Sequence, residues 1–283
     1  MRKIVGLIGH PLEHSLSPAM HNAAFQQLGI DYEYVPFEVL PKDLEEALTG
    51  LRALHLKGFN VTVPHKESVI PYLDEVTKIA EDIGAVNTVK IEDDKLIGYN
   101  TDGPGFIESL KQDAKFEPKG KKVVILGAGG ASRAVAIVLA EAGAKTITLS
   151  DVIESKAKLL SDRLCALFGE TAYHVLINSP ELQKSIEQAD LLVNASPIGM
   201  YPKVNESPLP ENIKLNPKLL VYDLAYNPAE TKLLKTAKAA GAKTCSGLGM
   251  LVRQGAEAFT IFTGEEAPVE VMRKAVEAEL ASQ

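Results

Sequence analysis

Residues 123–151 read VVILGAGGASRAVAIVLAEAGAKTITLSD. Its pattern predicts a buried strand, a glycine turn, a long apolar helix and a second strand that ends in an acid. Gly127, Gly129 and Gly130 permit a tight turn and let a pyrophosphate approach the helix N-terminus. Ser132 replaces the third glycine of the usual pattern, so a turn without a ligand is the alternative. The strand and helix on either side favour a dinucleotide-binding unit.

The acid at the end of this stretch bears on which dinucleotide is bound. Asp151 can accept hydrogen bonds from the adenosine ribose hydroxyls and repels a 2′-phosphate. Val152 and Ile153 follow, where an NADP enzyme would have a basic or hydroxyl side chain. Lys156 and Lys158 lie further along and leave NADP as the alternative. We therefore expect NAD as the cofactor.

Outside this stretch, short β-branched runs alternate with amphipathic helical segments, which is typical of an α/β fold with mainly parallel sheets. A polar segment with Pro118 and Gly120 leads into the dinucleotide unit. The simplest division is two α/β units joined near residue 105, and the two C-terminal helices fit either unit. The strands predicted elsewhere lie in KIVGLIG, YEYVPFEV, GFNVTVP, the hairpin of AVNTVKIE with KLIGYNT, YHVLI, DLLVNAS and LLVYDLAY.

Composition limits the partners. The chain has 283 residues, 46% hydrophobic and 24% charged, as in ordinary folded proteins. A net charge of −7 argues against a surface that holds nucleic-acid phosphates, and no apolar run approaches the ~18 residues that span a bilayer. Cys165 and Cys245 are far apart and form no metal-binding or disulfide pattern. We expect a cytoplasmic protein with a small-molecule substrate, no metal, no nucleic acid and no membrane, as a monomer or homodimer.

Two serines flank one leucine in HSLSP, residues 14–18. Ser17 followed by Pro18 predicts a helix N-cap with proline at the first helical position. Gly29 predicts the C-terminal end of the same helix. Capping needs only Ser17, so this interpretation does not account for Ser15.

Polar side chains also cluster where three predicted strands of the first unit end. Each has a structural alternative: Asp102 as a helix N-cap, Asn87 as a turn residue and Lys66 as a solvated surface lysine. Ligands of open α/β sheets bind at the carboxyl ends of the strands, and this set suits a polyhydroxylated substrate. A lysine beside a carboxylate can also move the proton that accompanies hydride transfer. The clusters are Asn60, Thr62 and Lys66; Asn87 and Thr88; and Asn100, Thr101 and Asp102.

Eight motifs in order make the chain similar to the shikimate dehydrogenase family over nearly its whole length. The resemblance implies an N-terminal α/β substrate domain, 1–104, completed by the C-terminal helices in 247–283, plus a Rossmann-like NAD(P)-binding domain, 105–246. The motifs are HSLSPAMHN, GFNVTVPHK, IGAVNT, GYNTDGPGF, GAGGASRA, NASPIGM, YDLAYNP and GLGMLVRQGAEAF.

The resemblance also implies residue roles. Lys66 and Asp102 form the catalytic pair, and Ser15 and Ser17 bind the substrate carboxylate. The remaining substrate-binding residues are Thr62, Asn87, Thr101, Tyr226 and Gln254. The cofactor-binding residues are Gly127, Ala128, Gly129, Gly130, Ala131, Asp151, Leu224 and Gly247.

The reaction implied is the reversible reduction of 3-dehydroshikimate to shikimate in aromatic amino-acid biosynthesis. NADP-using members typically have Asn-Arg-Thr where this chain has Asp151, Val152 and Ile153. That departure suggests the NAD-using branch that acts on quinate and shikimate, so quinate is an alternative substrate. A non-catalytic dinucleotide sensor is the alternative from another class, but a sensor has no use for a proton-transfer pair.

Overall fold

The structure is a computed structural model that describes residues 2–282. The chain divides into two compact units, Met1–Gly105 with Leu251–Gln283, and Phe106–Met250. The sequence places the corresponding boundaries after residues 104 and 246. Each unit is described by itself below.

Strands and helices alternate along most of the chain. The strands are β1 (Lys3–Gly9), β2 (Tyr32–Glu38), β3 (Gly58–Val61), β4 (Glu75–Val76), β5 (Thr88–Glu92), β6 (Lys95–Tyr99), β7 (Lys122–Leu126), β8 (Thr146–Ser150), β9 (Ala172–His174), β10 (Leu191–Asn194), β11 (Leu220–Asp223) and β12 (Lys243–Ser246). The helices are α1 (Ser17–Leu28), α2 (Leu44–Ala53), α3 (Lys78–Ile83), α4 (Asp102–Gln112), α5 (Gly130–Glu141), α6 (Glu154–Phe168), α7 (Pro180–Gln188), α8 (Lys232–Ala239), α9 (Leu248–Thr263) and α10 (Val269–Ser282). Single-turn 3-10 helices occupy Pro41–Asp43 and Ile70–Tyr72.

The first unit is built on a mixed sheet with the strand order β2-β1-β3-β5-β6-β4. β1 runs parallel to β2 and β3, whereas β5 runs antiparallel to both β3 and β6. The β5–β6 hairpin predicted from the sequence is present, and Asp93 and Asp94 form its two-residue turn with φ of 49° and 63°. Positive φ at both turn residues matches the right-handed twist of the strands. The sheet is therefore mixed, but only β5 is reversed: the other five strands run in one direction, so the sheet is mainly parallel, as predicted.

The central strands of the first unit are buried on both faces. Ile8, Phe59 and Val61 have at most 2% exposure and pack with Leu48 and Leu51 of α2. β4 is missing from the sequence prediction because two residues carry no periodicity that could reveal a strand. The carboxyl ends of β1 and β3 therefore emerge from a rigid core.

The second unit has a parallel sheet with the order β12-β11-β10-β7-β8-β9. β7 pairs with β8 on one side and with β10 on the other, so the strand order reverses there. In open α/β sheets such a reversal opens a crevice at the carboxyl ends of the strands, where ligands bind. The turn after β7, which contains the glycine motif, lies at this point.

Two further observations concern residues 2–282. No helix in that range is long and apolar enough to cross a membrane. No group of three or more His, Cys, Asp or Glu side chains within it is placed to hold a metal ion.

Candidate active site

The first unit brings a lysine and a carboxylate together. Lys66 follows β3, and Asp102 is the first residue of α4. Lys66 Nζ donates to Asp102 Oδ2 at 2.6 Å, with side-chain exposures of 20% and 8%. Lys66 is therefore not the solvated surface lysine of the structural alternative.

Asn87 holds the second oxygen of the same carboxylate. Its Nδ2 donates to Asp102 Oδ1 at 3.0 Å and to Thr101 Oγ1 at 2.9 Å. Its Oδ1 accepts from the Thr101 backbone N–H at 2.8 Å, and Asn87 is only 3% exposed. At the start of α4 the Gly103 N–H donates to Asn100 Oδ1. Asn87 thus orients the carboxylate, and Asn100 performs the capping considered for Asp102.

Gln254 of α9 reaches the same cluster. Its Oε1 lies 3.4 Å from Asn87 Nδ2 and 3.5 Å from Thr101 Oγ1. Gly105 of α4 makes this approach possible, because a Cβ at Gly105 would lie 2.7 Å from the Gln254 backbone nitrogen. Thr62, also predicted for the site, follows β3 four residues before Lys66.

Three buried residues beside the site have no role among those that the family resemblance implies, although Asn60 belongs to one of the predicted polar clusters. His65 is fully buried, and its Nε2 lies 2.7 Å from the Val39 carbonyl oxygen, which anchors the loop next to Lys66. Asn60 donates to Thr88 Oγ1 at 2.9 Å, and Tyr34 donates to Asn60 Oδ1 at 2.8 Å. Asn60 and His65 stand inside the quoted motifs, whereas no local signal marks Tyr34, which comes from a distant strand.

The positions of Ser15 and Ser17 at the start of α1 differ from those that the capping prediction implies. Helix α1 begins at Ser17, and the residue before it, Leu16, already has helical backbone angles. Within the described chain α1 has no side-chain N-cap hydrogen bond, so the prediction that Ser17 caps the helix is wrong. The Ser15 Oγ instead accepts from the Ser17 N–H at 3.4 Å. Gly29 ends the helix with φ of 63°, as predicted.

In the second unit the glycine turn has the geometry of an anion cradle. Gly127 has φ of 102°, and a Cβ there would lie 2.9 Å from the Ala195 carbonyl oxygen beyond β10. Around Gly129 no heavy atom of the described residues lies within 4 Å of the position of a Cβ, which leaves room for a ligand. Ser132 Oγ donates to the Gly127 carbonyl at 2.6 Å, which explains a serine at the third glycine position. The turn and the N-terminus of α5 therefore fit a pyrophosphate.

Asp151 braces this turn. Its Oδ2 accepts from the Ala128 N–H at 2.7 Å, and its Oδ1 accepts from the Ile153 N–H at 2.8 Å. Each carboxylate oxygen retains a further lone pair that can accept a ribose hydroxyl. Val152 is 84% exposed, and its apolar side chain has no donor to offer a phosphate.

A buried carboxylate organises the loop after β11. Asp223 accepts from Asn194 Nδ2 at 2.8 Å, Thr231 Oγ1 at 2.6 Å and the Ala225 N–H at 3.1 Å. Burial raises the pKa of Asp223, and these three donors act in the opposite direction. The loop that this carboxylate fixes contains the predicted residues Leu224 and Tyr226.

Two predicted cofactor residues meet in the second unit. Gly247 packs directly on Leu224, since a Cβ at Gly247 would lie 1.9 Å from the Leu224 carbonyl oxygen. Tyr226 belongs to the same unit, and burial raises the pKa of its phenol. The contacts therefore bring together three groups of the predicted residues, and Ser15 and Ser17 contact each other apart from them. The three groups are Lys66, Asn87, Thr101, Asp102 and Gln254 in the first unit, and Ala128 with Asp151 and Leu224 with Gly247 in the second.

Comparison with known proteins identifies the family. A family model described as the shikimate dehydrogenase substrate binding domain matches residues 7–89, and one described as the shikimate 5′-dehydrogenase C-terminal domain matches residues 247–277. A shikimate dehydrogenase (NADP(+)) from Methanopyrus kandleri is 51% identical over 273 residues, 96% of this chain and 94% of the relative. The chain belongs to the shikimate dehydrogenase family.

Solved structures of shikimate dehydrogenases share the fold. One in complex with NADP+ matches with a TM-score of 0.92 and 47% identity, covering 99% of this chain and 96% of the other. Shikimate 5-dehydrogenase from Listeria monocytogenes, in complex with shikimate and NAD, matches with a TM-score of 0.90 and 40% identity over 96% of both chains. The predicted combination of an α/β substrate domain and a Rossmann-like domain is confirmed, and the chain is an oxidoreductase of this family.

Proposed function

We propose that this shikimate dehydrogenase family member catalyses the reversible, dinucleotide-dependent reduction of 3-dehydroshikimate to shikimate. The observation that carries the proposal is the ion pair of Lys66 and Asp102, held at 2.6 Å and braced by Asn87. Amide and hydroxyl groups surround the pair, as a polyhydroxylated ring requires. The first unit binds the substrate in this proposal, and the second unit binds the dinucleotide.

Lys66 carries the proton in the proposed reaction. In the reductive direction the dinucleotide supplies a hydride to the ring carbonyl carbon, and the carbonyl oxygen becomes an alcohol. Lys66 Nζ gives that oxygen its proton and takes it back when the alcohol is oxidised. Asp102 keeps Nζ in place and accepts a hydrogen bond from the substrate hydroxyl, while Asn87 fixes the carboxylate.

The remaining substrate contacts follow from the chemistry of the side chains. Ser15 and Ser17, at the N-terminal end of α1, receive the substrate carboxylate, where the helix dipole favours negative charge. Thr62, Thr101 and Gln254 offer hydroxyl and amide groups to the ring hydroxyls. We assign Tyr226 to the substrate as well, by resemblance to the family.

The glycine turn receives the dinucleotide in this proposal. The backbone of 127–131 and the N-terminus of α5 hold the pyrophosphate, and Asp151 binds the adenosine ribose. Leu224 and Gly247, which are in contact with each other, are assigned to the nicotinamide end. The open space beside Gly129 supports the assignment of the turn to the pyrophosphate.

We propose NAD as the preferred dinucleotide, on the strength of Asp151. Its carboxylate stands at the end of β8 and repels a 2′-phosphate. The relative from Methanopyrus kandleri is named for NADP(+), whereas the one from Listeria monocytogenes was solved with NAD. Lys156 lines a pocket with Arg133 and Arg163 and keeps NADP as the alternative.

A single set of assays tests these proposals. Initial rates are measured on shikimate and on quinate, each with NAD and with NADP. We expect the highest kcat/KM for shikimate with NAD. A higher kcat/KM for quinate than for shikimate would favour quinate as the substrate. Asp151 is compatible with that result, because it resembles the NAD-using branch that acts on quinate and shikimate. Absence of turnover with every combination would overturn the proposed function.

The oligomeric state and the location of the protein stay predictions. A monomer or homodimer in the cytoplasm is expected, with small molecules as partners. Sedimentation equilibrium of the full chain distinguishes the two assemblies.

A further inference from the structure

Asn194 and Asp223 are neighbours at the carboxyl ends of two adjacent strands. Asn194 is the last residue of β10 and Asp223 is the last residue of β11, and the two are paired in register in the parallel sheet. Both residues are fully buried, and Asn194 Nδ2 donates to Asp223 Oδ1 at 2.8 Å. A buried amide and a buried carboxylate therefore lie at the edge of the sheet from which the loops after β10 and β11 start.

The orientation of the Asn194 amide is fixed by the loop that follows β10. Its Oδ1 accepts from the Ser196 N–H at 3.1 Å and from the Ser196 hydroxyl at 2.7 Å. Its Nδ2 donates its other proton to the Ile198 carbonyl at 3.0 Å. Because a backbone N–H can only donate and a carbonyl can only accept, the amide cannot turn over. The side chain uses its full hydrogen-bonding capacity and ties residues 195–198 to Asp223.

Asp223 holds the loop after β11 in the same way. Its Oδ1 also accepts from the Ala225 N–H at 3.1 Å, and its Oδ2 accepts from Thr231 Oγ1 at 2.6 Å. Thr231 is fully buried, and its Oγ1 accepts from the Leu234 N–H at 3.3 Å, so its own proton is available for the carboxylate. One carboxylate therefore connects the end of β11, the loop 224–230 and the start of α8.

The order of the strands indicates which half of a dinucleotide these loops would meet. Asp151, the proposed ribose ligand, follows β8, and the glycine turn follows β7. β10 lies on the other side of β7, and β11 lies beyond it. A dinucleotide crosses such a sheet at the point where the strand order reverses. Since its adenosine half lies over β8 and its pyrophosphate over β7, its nicotinamide half lies over β10 and β11.

The loop after β10 also contacts the glycine turn directly. A Cβ at Gly127 would lie 2.9 Å from the Ala195 carbonyl oxygen and 3.0 Å from the Ser196 nitrogen. The Ala195 N–H donates to the Leu126 carbonyl at 2.8 Å. The loop that Asn194 holds is therefore packed against the turn that receives the pyrophosphate.

We propose that Asn194 and Asp223 are positioning residues for the nicotinamide half of the dinucleotide, and that they act through the two loops that they hold together. Both are fully buried, so neither touches the cofactor itself. Because both loops are already ordered, the dinucleotide does not lose affinity by ordering them when it binds. The inference rests on the proposed function, because it assumes a dinucleotide on this sheet. It adds two residues to which the family resemblance assigns no role.

Two ligands that differ only in the nicotinamide ring test the inference. They are NAD and ADP-ribose, which keeps the adenosine, the pyrophosphate and the second ribose. Isothermal titration calorimetry of the full-length protein measures the Kd of each. Asn194→Ala releases both loops and should raise the Kd of NAD about tenfold, the size of a hydrogen bond to a charged group. The Kd of ADP-ribose should change by less than about twofold.

Thr231→Val is the second variant, because it removes one donor from the Asp223 carboxylate and leaves Asn194 in place. It should raise the Kd of NAD about fivefold, whereas Thr231→Ser, which keeps the hydroxyl, should bind NAD as the wild type does. The matched control is Ser179→Ala, since Ser179 caps α7 as Thr231 caps α8, each by accepting the N–H of the third helical residue. That control should keep the wild-type ratio of the two Kd values, even if the melting temperature falls.

A wild-type Kd of NAD in both Asn194→Ala and Thr231→Val would overturn the inference. Equal increases in the Kd of NAD and of ADP-ribose would also overturn it, because they would indicate a general disturbance of the unit. Either result leaves the proposed function intact. Wild-type protein that binds neither ligand would overturn the proposed dinucleotide site, and the inference with it.

Discussion

Asp102 of α4 is hydrogen-bonded through both oxygens, by Lys66 Nζ at 2.6 Å and by Asn87 Nδ2 at 3.0 Å. Charge-assisted hydrogen bonds of this kind are stronger than neutral ones and fix their partners in place. The carboxylate therefore holds the Lys66 ammonium at one point while the Asn87 amide prevents the carboxylate from turning. A proton donor is thus held ready before any substrate arrives.

Replacement of Lys66 by alanine should reduce turnover far more than substrate binding. A positioned proton-transfer group contributes about 10²–10⁴-fold to a rate, so kcat should fall by that order while KM changes little. Steady-state kinetics with shikimate measure both. Lys95→Ala is the control, because Lys95 pairs with Glu75 on the exposed surface of the same unit. Similar kcat in Lys66→Ala and wild type would remove Lys66 from the chemistry.

Asp151→Asn should narrow the difference in kcat/KM between NAD and NADP. The amide keeps an oxygen for the turn but loses the charge that repels a 2′-phosphate. Asp190→Asn is the matched control, since Asp190 also accepts a backbone N–H, from Lys122, but at the opposite end of the strands. An unchanged cofactor ratio in Asp151→Asn would show that another residue selects the dinucleotide.

Gly105→Ala should raise the KM for substrate several-fold by displacing Gln254. The added methyl group would lie 2.7 Å from the Gln254 backbone nitrogen, so α4 and α9 must move apart. Gly50→Ala in α2 is the control, because no heavy atom of the described chain lies near a Cβ there. That control should leave KM unchanged and stabilise the protein by about 0.5–1 kcal/mol. A KM in Gly105→Ala equal to wild type would mean that Gln254 makes no contribution to binding.

His21 should make the first unit sensitive to acid. Burial lowers its pKa from 6.5 to about 3, and neither ring nitrogen has a hydrogen-bond partner among residues 2–282. The unfolded chain therefore takes up a proton as the pH falls below about 6.5, while the folded chain does not. Stability is full above that pH and is reduced by about 2 kcal/mol at pH 5.

His21→Phe keeps an aromatic ring against Tyr34 and removes the titrating group. The difference in unfolding free energy between wild type and this variant, followed by urea denaturation from pH 8 to pH 5, should change by that amount. The control is His55→Asn, which removes an exposed imidazole. The unfolding free energy of this variant should keep the same dependence on pH as that of the wild type. A constant difference between wild type and His21→Phe over this range would contradict the assignment.

Local patterns were enough for the strand–glycine–helix unit and for the β5–β6 hairpin, because neighbouring residues determine both. They were not enough for the start of α1. The pair Ser17–Pro18 has the composition of a cap, yet the helix begins at Ser17. The backbone angles at Leu16 decide this, and they depend on how the segment packs after β1.

Local sequence patterns are enough to predict the two α/β units, the glycine turn with its acid at Asp151, and the polar clusters at the strand ends. These follow from hydrophobic periodicity and from residue types that act over a few neighbours. Which of these polar groups contact each other depends on the assembled fold. Asn87 and Asp102 are 15 residues apart, and Tyr34 and Asn60 lie on different strands, so their hydrogen bonds exist only after the sheet has assembled. The direction of the Tyr34–Asn60 bond depends on further residues, because Asn60 Nδ2 donates to the Asn87 carbonyl and to Thr88 Oγ1 and leaves Oδ1 to accept from Tyr34. No pattern along the chain contains that information.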